Sequence, residues 1–363
     1  MKILVVSGLY PSQETPGYGL FIKHQVEALQ ELGHQVEVVA NTDNRTGTIP
    51  ALKKYLSLYR RARAAARHGS YDIVVGHFLY PNAGIARAAA RVAHAPYLVV
   101  AHGTDVRSLT RKDPLAVWSR SAVAHADGVV AVSDYLLRQL ETTVRLPEQT
   151  PRATIHMGID TSAFYPRPRA EARAELGLAP ESRIIVAVGN ITPNKGQYRL
   201  LEAGARLLHR GALEQLIFVG DGEMRPALEK LAHSHHLDDR VLFTGQQEQI
   251  RVANYLAAAN LVVVPSHNEG LGLVILEALA CAVPVAATTV GGIPEILPDA
   301  PWGYRLDSSI DGFLSWPAVL DAILEEEPLA KDARKVTAPV VANCGSLEKT
   351  QEFAEFCLRV ARR

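Results

Sequence analysis

Cysteine is scarce in this chain: three in 363 residues, Cys281, Cys344 and Cys357, with no pair at C-x-x-C or metal-knuckle spacing. That excludes a disulfide framework and makes a reducing, cytoplasmic setting the expectation. Cys281 lies in an apolar run and reads as small core filler. No secretory leader is visible, because the apolar run at Lys2–Ser7 is too short for one and reads as a first strand. No apolar stretch approaches the ~20 residues of a membrane span. Charge of one sign is also missing: 38 basic residues balance 38 acidic ones. A nucleic-acid partner, which needs a basic footprint, is therefore not expected. No D-x-D pair occurs that could hold a divalent ion against a diphosphate, and Asp72 and Asp221 stand alone. The run His233-Ser-His235-His236 reads as an exposed helix end rather than a metal site. The first βα turn, Gly8 to Gly19, contains prolines and no G-x-G-x-x-G fingerprint, which argues against a nicotinamide dehydrogenase. There is no solenoid repeat and no low-complexity tract.

What remains is ordinary globular composition, 48% hydrophobic and 21% charged, in a length that suggests two domains. Short β-branched runs alternate with helical patterns. Ile3–Val6, Val36–Ala40, Ile73–Val75, Tyr97–Ala101 and Gly128–Val132 read as strands. Leu20–Leu32, Ala51–His68, Gly84–Ala93 and Leu115–Ala126 read as the helices between them. The pattern breaks around Met157–Pro168, then restarts with strands at Ile184–Val188, Leu216–Val219, Val241–Thr244, Leu261–Val264 and Val283–Ala287. Continuous apolar strands separated by helices predict parallel sheets covered on both faces. The expected architecture is α/β: two Rossmann-like doubly wound domains, 1–160 and 161–345, facing a central cleft that holds the ligand. A final helix, 346–363, is expected to pack back on the N-terminal domain.

The segment from Val264 to Val285 is the richest in chemistry. A strand ends, Glu269 and the turn Gly270-Leu271-Gly272 follow, and a helix carries Glu277. A glycine turn feeding a helix N-terminus offers free N–H groups and a positive dipole end, which suits a diphosphate. Eight helical residues span about 12 Å. That is too far apart for the two carboxyls of a retaining glycosidase, which stand about 5 Å apart. It matches the reach from the ribose to the sugar of a nucleotide sugar. Lys195, just past a strand end in Gly189-Asn190-Ile-Thr-Pro-Asn194-Lys195, can neutralise a departing diphosphate. His102 follows a strand end and precedes Gly103, where a backbone can approach a ligand. From Lys53 to Arg67 there are six basic residues and no acid. This is either a solvated helix face or a patch touching anionic lipid or an anionic acceptor.

These motifs resemble those of the family 4 retaining glycosyltransferases, which have the GT-B fold. The resemblance spans nearly the whole chain. It rests on the E-x7-E spacing of Glu269 and Glu277, the loop Ala286-Ala-Thr-Thr-Val-Gly-Gly-Ile-Pro-Glu295, and the N-terminal Gly17-Tyr-Gly19 turn. Ala101-His-Gly-Thr-Asp105, Val132-Ser133, Met157-Gly-Ile-Asp160 and Val219-Gly-Asp-Gly222 extend it. It implies transfer of a hexosyl group from a nucleotide-diphosphate sugar to a glycan, lipid-linked or small-molecule acceptor; because no D-x-D pair is present and helix N-termini and Lys195 can supply the counter-charge, no metal or other cofactor is expected to be required. It also implies roles. Glu277 would bind ribose hydroxyls, and Glu269 would sit by the transferred sugar. Gly19, Asn190, Lys195, Gly270, Leu271 and Gly272 would line the donor site. His102 would hydrogen-bond the donor sugar at the reaction centre. Asp105 and Ser133 are acceptor-side candidates. The chain departs from the family at Asn190, where an arginine is usual, so one cation is missing; Arg199 is a candidate substitute. Met157 stands where the family often has Asn. Two other readings use the same architecture: a nucleotide-sugar epimerase or hydrolase, and a degenerate sugar-nucleotide-binding partner of another transferase.

Overall fold

The protein is described by a computed structural model covering residues 1–13, 17–42, 48–309, 312–326 and 333–363. The chain divides into two compact units. The first comprises Met1–Gly158 together with Ser346–Arg363, and the second Ile159–Gly345. The boundary thus falls two residues before the expected one. The chain enters and leaves the second unit side by side: the Ile159 N–H donates to the Cys344 carbonyl at 2.9 Å, and Ile159 bridges Gly345.

The first unit is built on six parallel strands, β1 (Lys2–Ser7), β2 (Gln35–Ala40), β3 (Ile73–His77), β4 (Tyr97–Ala101), β5 (Gly128–Ala131) and β6 (Arg152–Thr154). They run in the order β2-β1-β3-β4-β5-β6. β3, β4 and β5 are buried along their whole length, which is why they read as unbroken apolar runs. β2 at the edge alternates and carries Glu37, a charged residue that discourages further pairing. The second unit has β7 (Ile184–Val188), β8 (Gln215–Val219), β9 (Val241–Phe243), β10 (Leu261–Val264), β11 (Val285–Thr288) and β12 (Gly303–Leu306). Its order is β12-β11-β10-β7-β8-β9, the doubly wound order of dinucleotide-binding sheets. Successive residues of β7 serve opposite faces. Ile184 and Val186 join one core layer, and Ile185 and Ala187 join the other.

β6 and β12 are additions to the sequence reading. They are short, partly polar edge strands, recruited by pairing to β5 and β11 rather than by their own pattern. The closing helix Ser346–Ala361 belongs to the first unit. It buries Phe353, Phe356, Cys357 and Val360 against the helix Leu20–Glu31 and against β3 and β4. Gly128 of β5 permits that approach, since a Cβ there would stand 2.7 Å from the Val360 side chain.

In each sheet the winding reverses once, between β1 and β3 in the first and between β7 and β10 in the second. Ligands of such sheets bind beyond the carboxyl ends of the strands at these reversals. Both reversal points carry the residues singled out from the sequence.

Candidate functional site

At the reversal of the second sheet, the loops after β7 and β10 are locked together. Gly196 has φ +67° and opens the helix Gln197–His209; a Cβ on it would lie 2.0 Å from the Pro265 carbonyl. Only glycine fits a left-handed backbone this close to another chain segment. Asn194 spans the same gap twice: its Nδ2 donates to the Asn268 carbonyl and its carbonyl accepts from the His267 N–H, both at 2.8 Å. This fixes Lys195 opposite Glu269, and Lys195 Nζ sits 2.6 Å from Glu269 Oε2. Ser266 Oγ donates to the same carboxylate oxygen at 3.1 Å. Thr288 at the end of β11 donates to the Ser266 carbonyl at 2.6 Å, and the Gly292 N–H donates to the Glu269 carbonyl at 3.1 Å. Three loops therefore converge on one glutamate.

Beyond Glu269, Leu271 is buried and Gly272, at φ +94°, turns the chain into the helix Leu273–Ala280. Glu277 lies on that helix, half-buried. Removal from water, and secondly the Asp160 carboxylate, raise its carboxyl to about 7. Asp160 is itself fixed by the N–H and hydroxyl of Ser162, at 2.9 and 2.6 Å. Asn190 is exposed, and its carbonyl accepts from Gln197 Nε2 at 3.0 Å. Arg199, the candidate substitute cation, is held at one of its guanidinium nitrogens. Its guanidinium donates to the Ser308 carbonyl at 2.8 Å, and its charge, after burial, lowers the His267 imidazole.

One strand beyond the reversal of the first sheet, His102 directly follows β4. Its Nε2 lies 3.0 Å from Nδ1 of His77, the last residue of β3. The Phe78 ring is 4.6 Å away and the Phe21 ring 5.2 Å, centroid to centroid. Burial, and secondly His77, hold the His102 imidazole well below its ordinary value, so it is neutral at neutral pH. Gly19, at φ +74°, folds its turn back on Leu9 and starts the helix that carries Phe21; residues 14–16 of that loop lie outside the described residues. Asp105 is buried beneath the His102 turn. Its carboxylate accepts from the N–H groups of Leu79 (2.9 Å), His102 (3.1 Å) and Gly103 (2.7 Å). Ser133 is fully buried and caps the helix Asp134–Thr143, accepting from the Leu136 N–H at 3.2 Å. Both acceptor-side candidates thus have structural contacts.

Sequence reading missed His77, Ser266, Asn194 and Asp160 as site residues. The one available signal was position: His77, Ser266 and Asn194 lie at a strand end or in a loop just past one, and Asp160 lies where the chain enters the second unit. Among the described residues no group of three or more His, Cys, Asp or Glu side chains could hold a metal ion. His233 and His235 contact Asp238 and Glu202 at the surface. The Lys53–Arg67 stretch lies on the helix Thr48–His68, which buries Leu58, Ala62 and Ala66 and leaves Lys53, Arg60, Arg61 and Arg67 exposed. No helix among the described residues is long and apolar enough to cross a membrane.

Comparison with known proteins falls on the same two units. The family model for glycosyl transferases group 1 matches residues 168–336, and that for glycosyltransferase family 4 matches residues 17–163. The chain is 30% identical over 338 residues to a Bacillus subtilis protein named for teichuronic acid biosynthesis glycosyltransferase, covering 82% of this chain and 83% of that one. It is 28% identical over 324 residues to the N-acetyl-alpha-D-glucosaminyl L-malate synthase of Bacillus anthracis, covering 84% and 83%. Among solved structures it is similar to Anabaena HepE in complex with UDP-glucose. The TM-score is 0.78 at 20% identity, over 98% of this chain and 99% of that one.

Proposed function

Since the chain belongs to the family 4 glycosyltransferases, with the GT-B fold, we propose that it is a retaining hexosyltransferase using a nucleotide-diphosphate sugar. The observation that carries this reading is the Lys195–Glu269 pair at the reversal of the second sheet, followed by the half-buried Glu277 on the adjoining helix. Lys195 supplies the counter-charge to the diphosphate, with the Gly270–Gly272 backbone beside it. Glu277 takes the ribose hydroxyls and Glu269 the sugar. Asn190 contributes a hydrogen bond without charge. His102 meets the donor sugar as a neutral imidazole that can donate or accept but adds no positive charge.

The transfer is a front-face substitution. The bond from the anomeric carbon to the phosphate oxygen breaks, and the bond from that carbon to the acceptor oxygen forms on the same face. The acceptor hydroxyl proton passes to the departing phosphate oxygen. No metal is needed when Lys195 and the helix N-terminus share the leaving charge. Proton NMR of the product tests this: the donor's anomeric configuration should be kept, with EDTA making no difference. An inverted product contradicts retention. Release of free sugar or an epimerised donor, without acceptor, points instead to a hydrolase or epimerase.

The acceptor we propose is a glycan or lipid-linked intermediate in polysaccharide or glycoconjugate synthesis, met at the cytoplasmic face of a membrane. The helix Thr48–His68 supports this, because Leu52 and Leu56, 64% and 45% exposed, stand beside Lys53 and Arg60. Sedimentation with anionic vesicles, lost on Lys53→Glu with Arg60→Glu, is the expected result. Equal recovery in the supernatant with and without vesicles removes the membrane from the reading.

A further inference from the structure

We infer that His77 is a positioning residue for His102, fixing its ring angle and its tautomer. The inference rests on the reading that His102 meets the donor sugar, and it assigns what prepares that ring. Two loops meet here, one after β3 and one after β4. Asp105 ties their backbones by accepting from Leu79 on one side and from His102 and Gly103 on the other. The His77 Nδ1 to His102 Nε2 contact at 3.0 Å ties them a second time, through side chains. Phe78, between these ties, has φ +65°, a left-handed conformation that a bulky residue rarely adopts. Such strain persists only where the surroundings impose it. Here it lays the Phe78 ring against His102, and Phe21 stands 5.2 Å from the same ring. Two phenyl rings and one imidazole thus define where His102 points.

The hydrogen bond also decides what His102 can offer. His77 is 1% exposed, and burial lowers its imidazole to about 3. Both rings are therefore neutral, and the contact between them holds one proton. Whichever nitrogen donates, the remaining nitrogen of His102 takes the opposite character, since a neutral imidazole has one donor and one acceptor. His77 thereby couples the tautomer of His102 to its own, so that one proton placement across the contact sets whether His102 presents a donor or an acceptor to a sugar hydroxyl.

The test is histidine-selective nitrogen-15 NMR on the full chain without ligand, so it does not depend on the donor being known. Wild type should show His102 as a single neutral tautomer, with one donor-like and one acceptor-like resonance and a slowly exchanging bridging N–H. His77→Phe keeps a ring but removes Nδ1, and should draw the two resonances together as tautomers average. His77→Asn, which returns a polar atom near Nδ1, should separate them again. Averaged His102 resonances in wild type overturn the inference, as do resonances that stay apart and unmoved in folded His77→Phe. If His77→Phe does not fold, the wild-type bridging N–H decides alone, and its absence overturns the proposal. Failure of donor to perturb His102 would instead count against the donor reading, leaving the positioning result standing.

Discussion

Lys195 and Glu269 have one another as charged partners at 2.6 Å, and their side chains retain only 31% and 16% of their exposure. Losing either leaves the other half-buried with less to bind, and hydrogen bonds to charged groups of this kind are worth about 1.5–3 kcal/mol. A double-mutant cycle of Lys195→Ala and Glu269→Ala, read by urea midpoints, should show coupling of about 1 kcal/mol or more. Simple additivity would mean the pair does not form in solution. Glu277 gives a pH signature. Its folded carboxyl, at about 7, lies above the ordinary 4.5, so the folded state binds the proton more tightly. Its contribution to stability is full below about pH 4.5, falls as pH rises through that window, and is lost above about 7. Glu277→Gln should therefore gain stability relative to wild type at pH 8 but not at pH 4.5, measured by urea unfolding at both. An equal difference at both pH values contradicts the assigned environment. Glu269 and Lys195 were legible in the sequence because charges are conspicuous just past the ends of apolar strands, and Glu277 because it stands in an apolar helix eight residues after Glu269. Ser266 and His77 were not, because their roles arise from partners on other loops and strands, and a serine or histidine by itself carries no such sign.

Among the elements, the helix–strand alternation was readable because each buried strand is a continuous apolar run. β6 and β12 escaped notice because Arg152–Thr154 and Gly303–Leu306 are strands by virtue of their neighbours. The turn Asn194–Gly196 shows the same limit at a finer grain. Its glycine was visible, but the reason for it, the Pro265 carbonyl 2.0 Å from a would-be Cβ, exists only once β7 and β10 are adjacent. Gly196→Ala should accordingly cost well over about 1 kcal/mol, since alanine is strained at this φ and would collide with backbone. It should also weaken nucleotide binding, because Asn194 and Lys195 ride on that turn. Calorimetric melting checks the first effect, and an unchanged melting temperature would mean that the two loops are not in contact. The closing helix illustrates the opposite case. The helix itself was legible, and the structure shows the face it buries, Phe353, Phe356 and Val360, and what that face covers in β3, β4 and β5.

Taken whole, the molecule has two doubly wound units, each with candidate site residues at or beside the reversal of its own sheet. The donor reading places all binding charge in the second unit and makes one strong claim: a single lysine, with no arginine at Asn190, suffices for a diphosphate. Thermal shift of the full chain across UDP, GDP, ADP and their common sugar conjugates tests that claim most directly, because a ligand that binds the folded state alone raises the melting temperature by mass action. A clear shift is expected with one nucleotide family, abolished in Lys195→Ala and reduced in Glu277→Ala. No shift with any nucleotide, or a shift that survives both substitutions, would contradict it.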